Sequence, residues 1–114
     1  MSEPEKLARR RCKPCEGGVP PLGQAAVAEL RRALHADWTL SADGKWLVRS
    51  VAFENYARTL GFVNAVGWIA ESEDHHPVLE VVWGKCTVKW STHAVDGLTE
   101  NDFICAAKVD QLLV

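Results

Sequence analysis

Apolar and polar positions follow two different periods along this chain, and the changes of period divide it into elements. From Gln24 to His35 the apolar residues Ala26, Val27, Leu30, Ala33 and Leu34 recur at helical spacing, which predicts a first helix. Trp38-Thr39-Leu40 and Trp46-Leu47-Val48-Arg49 then flank Ser41-Ala42-Asp43-Gly44-Lys45. Asp43-Gly44 is a strong hairpin signal, because glycine tolerates the positive φ that tight strand-to-strand turns need. Phe53 to Glu71 is the longest helical pattern. Phe53, Tyr56, Ala57, Leu60, Val63 and Ile69 form its expected inner stripe, with Glu54, Asn55, Arg58 and Asn64 left for solvent.

The period then shortens to that of a strand. Leu79 to Trp83 and Cys86 to Trp90 read as paired strands around a Gly84-Lys85 turn, and Cys86, Val88 and Trp90 alternate with Thr87 and Lys89. Thr99 reads as a helix N-cap, with Asp102 in place of the usual Glu or Gln of a capping box. Phe103, Ile104, Ala107 and Leu112 give that last helix an inner face. Residues 1–23 are expected to form an irregular leader, since Pro4, Pro14, Pro20, Pro21, Gly17, Gly18 and Gly23 interrupt any regular element.

The order α-β-β-α-β-β-α predicts a single α+β domain over residues 24–114. Its core would be one four-stranded antiparallel sheet with helices on one face. The edge strands of so small a sheet need cover, and self-association to a dimer or tetramer would supply it.

Composition adds mainly exclusions. Apolar residues make up 47% of 114 and charged residues 25%, the balance of an ordinary soluble domain. The net charge of -2 argues against direct nucleic-acid binding. Arg9, Arg10, Arg11 and Lys13 form a basic run, but Glu3, Glu5 and Glu16 flank it, as in a solvated terminus. No apolar stretch is long enough for a membrane span, and no secretory signal opens the chain, so a cytoplasmic location and reduced cysteines are expected. Cys12 and Cys15 are half of a possible zinc or redox motif, but their Pro/Gly-rich setting favours no function. Cys105 reads as a small core residue.

Chemistry concentrates in the histidines. Three of the four, His75, His76 and His93, lie within 19 positions. Val78 to Trp83 and Cys86 to Ser91 are equal in length, so the hairpin should bring His75 and His76 beside His93 at one end of the sheet. Glu71, Glu73 and Asp74 lie immediately upstream. Imidazoles exchange protons near neutrality, and a neighbouring carboxylate favours their charged form or fixes their tautomer. Pro77 biases His76 toward an extended conformation. At this level three readings stay open. The group could be catalytic. It could hold zinc through three histidines with an open fourth position, although adjacent histidines on an extended segment point to opposite sides. It could also be structural.

Asp74-His75-His76-Pro77, a hairpin of fixed length, Ser91-Thr92-His93 and Gly97-Leu98-Thr99-Glu100-Asn101-Asp102 together resemble the pterin-4a-carbinolamine dehydratase family. Mammalian members of that family are also known as the dimerization cofactor of a homeodomain transcription factor. The leader Cys12-Lys13-Pro14-Cys15-Glu16-Gly17-Gly18 resembles that of microbial and plant-type members. The resemblance implies a metal-independent, cofactor-free hydro-lyase that removes water from 4a-hydroxytetrahydrobiopterin to give quinonoid dihydropterin in pterin recycling. By the same resemblance His75, His76 and His93 are the catalytic residues, and His76 takes or relays the ring-nitrogen proton. His75 and His93 would flank the 4a-hydroxyl. Asp74, Ser91 and Thr92 would line the pterin pocket, with Glu71 nearby. Leu79 replaces an aromatic residue of some members, and Asn101 stands where animal members carry arginine. The alternatives are a non-enzymatic module that stabilises a partner's oligomer, or a role in molybdopterin metabolism.

Overall fold

The computed structural model describes residues 1–14 and 17–114, so Cys15 and Glu16 fall outside the described residues. The elements in chain order are α1 (Glu3–Arg9), α2 (Gln24–Arg31), β1 (Thr39–Leu40), β2 (Leu47–Ala52), α3 (Tyr56–Glu73), β3 (Val78–Val82), β4 (Lys85–Trp90) and α4 (Glu100–Gln111). From α2 onward this is the predicted order. A short 3-10 turn, His93–Val95, follows β4.

The four strands form one antiparallel sheet in the order β1-β2-β4-β3. The first hairpin turns through Gly44 at φ 72°, where an L side chain would be strained. The second turns through Trp83-Gly84, with Val82 opposite Lys85, one residue earlier than Gly84-Lys85. A two-residue loop leaves the strands in register, so Val78 still pairs with Lys89 near the far end. Leu47, Val88, Cys86 and Trp90 are fully buried beneath the helices.

The leader departs from the irregular expectation. Residues Glu3–Arg9 form a helix because Pro4 sits in its first turn, where the missing N–H costs nothing. Ser2 caps it, its Oγ accepting from Glu5 N at 3.3 Å. Leu7 is buried, and α1 packs against α4, with Lys108 Nζ donating to Ala8 O at 2.6 Å.

The buried face of α3 also differs from the expected stripe. Asn55 caps this helix through Arg58 N at 2.8 Å, and Thr59, Phe62, Val66 and Ala70 face the core. Tyr56 and Leu60 are exposed. The helix carries apolar residues around most of its circumference, so periodicity alone does not choose a face. Thr59 is admitted to the core because its hydroxyl donates to Asn55 O and Trp83 O, both at 2.9 Å.

Helix α4 is almost wholly buried, from Asn101 through Ala107 and at Val109. The Thr99–Asp102 capping box starts it as predicted. At its far end Asp110 accepts from Trp38 Nε1 (2.7 Å), His35 N (2.9 Å) and Arg49 (2.5 Å), fastening α4 to β2 and to the chain after α2. None of the described helices is long and apolar enough to cross a membrane.

Candidate active site

Helix α3 stops at Asp74, which adopts the left-handed conformation (φ 51°, ψ 45°). Aspartate tolerates this region better than most residues, and the reversal directs the next residue back beneath the helix. His75 N donates to Ala70 O at 3.1 Å, closing the turn. The His75 ring then stacks on Trp90, with centroids 5.6 Å apart and planes 6° from parallel. Only 10% of its side chain is exposed. Its Nε2 lies 2.6 Å from Asp102 Oδ1.

Asp102 has no exposed surface, so its charge depends on this shell of donors. Oδ2 accepts from Thr92 Oγ1 at 2.8 Å and from Thr99 N at 2.9 Å. The Thr92 and Thr99 hydroxyls lie 2.8 Å apart, so Thr99 donates to Thr92 and Thr92 to Asp102. With Asp102 accepting, His75 Nε2 carries the proton and the ring is held in one tautomer and one plane.

His76 emerges on the other side of the extended segment, with 60% of its side chain exposed and Nε2 3.7 Å from Glu71 Oε2. That separation is an electrostatic contact rather than a hydrogen bond. His93 opens the 3-10 turn after β4 and is exposed. Its loop is closed by Thr92 N donating to Gly97 O at 2.8 Å, and Ser91 Oγ donates to Lys45 O at 2.6 Å. Gly97 is required here, since a Cβ would stand 2.8 Å from Pro21 Cβ.

These residues share one cleft of about 560 Å³, a suitable volume for a bicyclic small molecule. Asp74, His75, His76, Ser91, Thr92 and His93 all line it, whereas Glu71 stands outside, at the His76 edge. Hairpin register thus brings the three histidines together as the sequence implied. Thr92 and Ser91 reach the cleft with hydroxyls already engaged in fixing its walls. Among the described residues no group of three or more His, Cys, Asp or Glu side chains is arranged to hold a metal ion.

The profile of the pterin 4 alpha carbinolamine dehydratase family matches residues 20–112. The chain belongs to that family. A protein of Nitrosomonas eutropha, provisionally named pterin-4-alpha-carbinolamine dehydratase, is 53% identical over 95% of this chain and 94% of its own length. A Legionella pneumophila protein with the same provisional name is 44% identical over 95% and 96%. A crystal structure of a transcriptional coactivator/pterin dehydratase from Brucella melitensis superposes with a TM-score of 0.76 at 28% identity, covering 81% of this chain and 97% of that one. A pterin dehydratase-like RuBisCO assembly factor of the alpha-carboxysome shares the fold alone, with TM-score 0.59 at 24% identity over 68% and 90%.

In this pterin dehydratase family member the leader supplies a wall of the cleft. Cys12, Lys13 and Pro14 line it together with the histidines. Cys12 N donates to Glu73 Oε1 at 2.7 Å, and Arg11 Nε pairs with Glu73 Oε2 at 2.9 Å. Asn101 grips Lys13 twice, its Oδ1 accepting from Lys13 N at 3.0 Å and its Nδ2 donating to Lys13 O at 2.6 Å. Asn101 is thus a fastener for this leader.

Two residues of the site lay outside the sequence-derived set. Asp102 reads in the sequence as a capping residue and as part of the Gly97–Asp102 motif, with no site role, because a capping box accounts for one carboxylate oxygen and leaves the other without an assignment. Glu73 reads in the sequence only as one of three carboxylates upstream of the histidines, and it lines the cleft while holding the leader. Its carboxylate is 4% exposed because the leader, distant in sequence, covers it.

Proposed function

We propose that this chain is a 4a-hydroxytetrahydrobiopterin dehydratase, a hydro-lyase that eliminates water from a pterin-4a-carbinolamine to give quinonoid dihydropterin. Family membership supports the reaction class, and relatives sharing about half of the sequence carry that name. The observation that carries the reading is the convergence of His75, His76 and His93 on one cleft.

The elimination breaks the C4a–O bond and removes a ring-nitrogen proton. Hydroxide leaves poorly, so an acid at the hydroxyl and a base at the nitrogen both lower the barrier, each by roughly 10²–10⁴ in rate. His76 is suited to take or relay the nitrogen proton, since its exposed imidazole can return that proton to solvent beside Glu71. His75 and His93 flank the leaving hydroxyl. With Nε2 committed to Asp102, His75 would exchange protons through Nδ1. Asp74, Ser91 and Thr92 shape the pterin pocket. The role assigned to each histidine follows the family resemblance, and the hydrogen bonding of His75 supports it.

The setting proposed is cytoplasmic pterin recycling by a self-associated dimer or tetramer. β3 closes the strand order at one edge, and Val78, Val82 and Trp83 are exposed there, which supports edge-to-edge association. Size-exclusion chromatography with light scattering reads the oligomer directly.

The deciding assay follows water loss from enzymatically generated 4a-hydroxytetrahydropterin, with and without a strong chelator. Acceleration over the spontaneous rate in both conditions is expected. No acceleration would end the dehydratase reading, and loss on chelation with recovery on zinc addition would replace it with a metal mechanism.

A further inference from the structure

The leader meets α4 through sulfur as well as through backbone. Cys12 Sγ and Cys105 Sγ lie 3.5 Å apart although 93 positions separate them in sequence. The reason is the spacing on α4. Asn101 and Cys105 are one helical turn apart and share a face, so the leader strand that Asn101 grips at Lys13 passes directly over Cys105. Glu73 fixes the same strand from the other side through Cys12 N. Both cysteines are free thiols in the structure, and a disulfide would require the sulfurs to close by about 1.5 Å.

We propose that Cys12 and Cys105 form a redox modification site, in which hydrogen peroxide converts the pair to an intramolecular disulfide that pins the leader wall of the cleft to α4. Access defines the order of events. Cys12 lines the open cleft, whereas Cys105 and Cys86 are fully buried, so a peroxide reaches Cys12 first. The Cys12 thiolate attacks one peroxide oxygen, the O–O bond breaks, and the second oxygen leaves as water after taking a proton. Cys12 is then a sulfenic acid. The Cys105 sulfur attacks the Cys12 sulfur, the S–O bond breaks, and the oxygen departs as a second water with the Cys105 proton. Two thiols lose two electrons and one peroxide becomes two waters. The contact with Cys12, reinforced by burial, keeps the Cys105 thiol protonated well above the usual thiol range. Cys105 is therefore unreactive on its own, and its attack in the second step rests on the 3.5 Å contact with the Cys12 sulfur, the thiol proton passing to the departing oxygen as the bond forms.

The pairing differs from a Cys12–Cys15 unit, the one suggested by sequence proximity. It also has a physical consequence. A link between positions 12 and 105 closes most of the chain into a loop, and restricting the unfolded chain to that extent stabilises the fold.

The test uses the full-length reduced protein, treated with a small excess of hydrogen peroxide, blocked with an alkylating agent and digested without reduction. A Cys12–Cys105 cross-linked peptide is expected in wild type and in Cys15→Ser, and none in Cys12→Ser. The oxidised protein should melt higher than the reduced form by about 5 °C or more, and a thiol reductant should reverse the shift. Recovery of Cys105 as a free thiol after Cys12 has been oxidised would overturn the proposal. So would a Cys12–Cys15 link as the main product, or a cross-linked protein that melts at or below the reduced one.

Discussion

His75 Nε2 stands 2.6 Å from Asp102 Oδ1, a contact across 27 residues that joins the turn after α3 to the first turn of α4. Asp102 thereby serves two purposes with its two oxygens, starting a helix with Oδ2 and aligning an imidazole with Oδ1. Asp102→Asn retains the shape and removes the charge. Its kcat for 4a-hydroxypterin dehydration should fall roughly 10- to 100-fold, a second-sphere effect of the size seen for groups that orient a functional histidine. Stability should fall by about 1–3 kcal/mol as one donor loses its acceptor. Steady-state kinetics and urea unfolding measure both, and an unchanged kcat would remove the pair from the mechanism.

The two adjacent histidines should separate cleanly by mutation. His76 is exposed, so His76→Ala should cost roughly 10²–10⁴ in turnover while unfolding free energy stays within about 0.5 kcal/mol. His75→Ala removes the ring from Trp90 and leaves a buried carboxylate short of a partner, so it should lose stability as well, by about 2–4 kcal/mol. Equal stability losses in the two variants would contradict the burial difference.

The turn at Asp74 predicts a third outcome. Its φ of 51° suits glycine, so Asp74→Gly should leave the melting temperature unchanged or raised. Asp74→Val should lower stability by about 1–2 kcal/mol, because a β-branched residue is strained in that region. Thermal unfolding of both variants is the check.

Alkaline pH should weaken the fold through Cys86. Burial pushes this thiol above its ordinary value of 9.0. Above about pH 9 the unfolded chain therefore gives up a proton that the folded chain keeps, and stability falls as pH rises. The slope from one thiol approaches about 1.4 kcal/mol per pH unit. Comparing the pH dependence of unfolding free energy in wild type and Cys86→Ala isolates that contribution. A wild-type slope no steeper than the variant's would show that Cys86 ionises equally well in both states.

Much of the site could be read before the fold. The Asp43-Gly44 and Gly84 hairpins, the Thr99 cap and the equal strand lengths all act over a few residues, and together they placed His75, His76 and His93 at one end of the sheet. The one-residue error in the second turn did no harm, since it left the strand ends adjacent. Side-chain roles were less legible. Ser91 and Thr92 read as pocket residues, yet their hydroxyls hold Lys45 O and Asp102.

By itself the sequence determined what short-range physics encodes: element order, caps, turn positions and the grouping of the histidines. Tertiary structure decided the rest, where several local patterns were equally acceptable. Helix α3 is apolar on most sides, and only packing on the sheet selects Thr59, Phe62, Val66 and Ala70 as its inner face. The prolines and glycines of the leader permit an irregular segment, but docking on α4 stabilises Glu3–Arg9 as a helix and carries Cys12 to Cys105. The second oxygen of Asp102 acquired its partner in the same way, because a buried carboxylate must be satisfied by whatever donor the fold brings within reach.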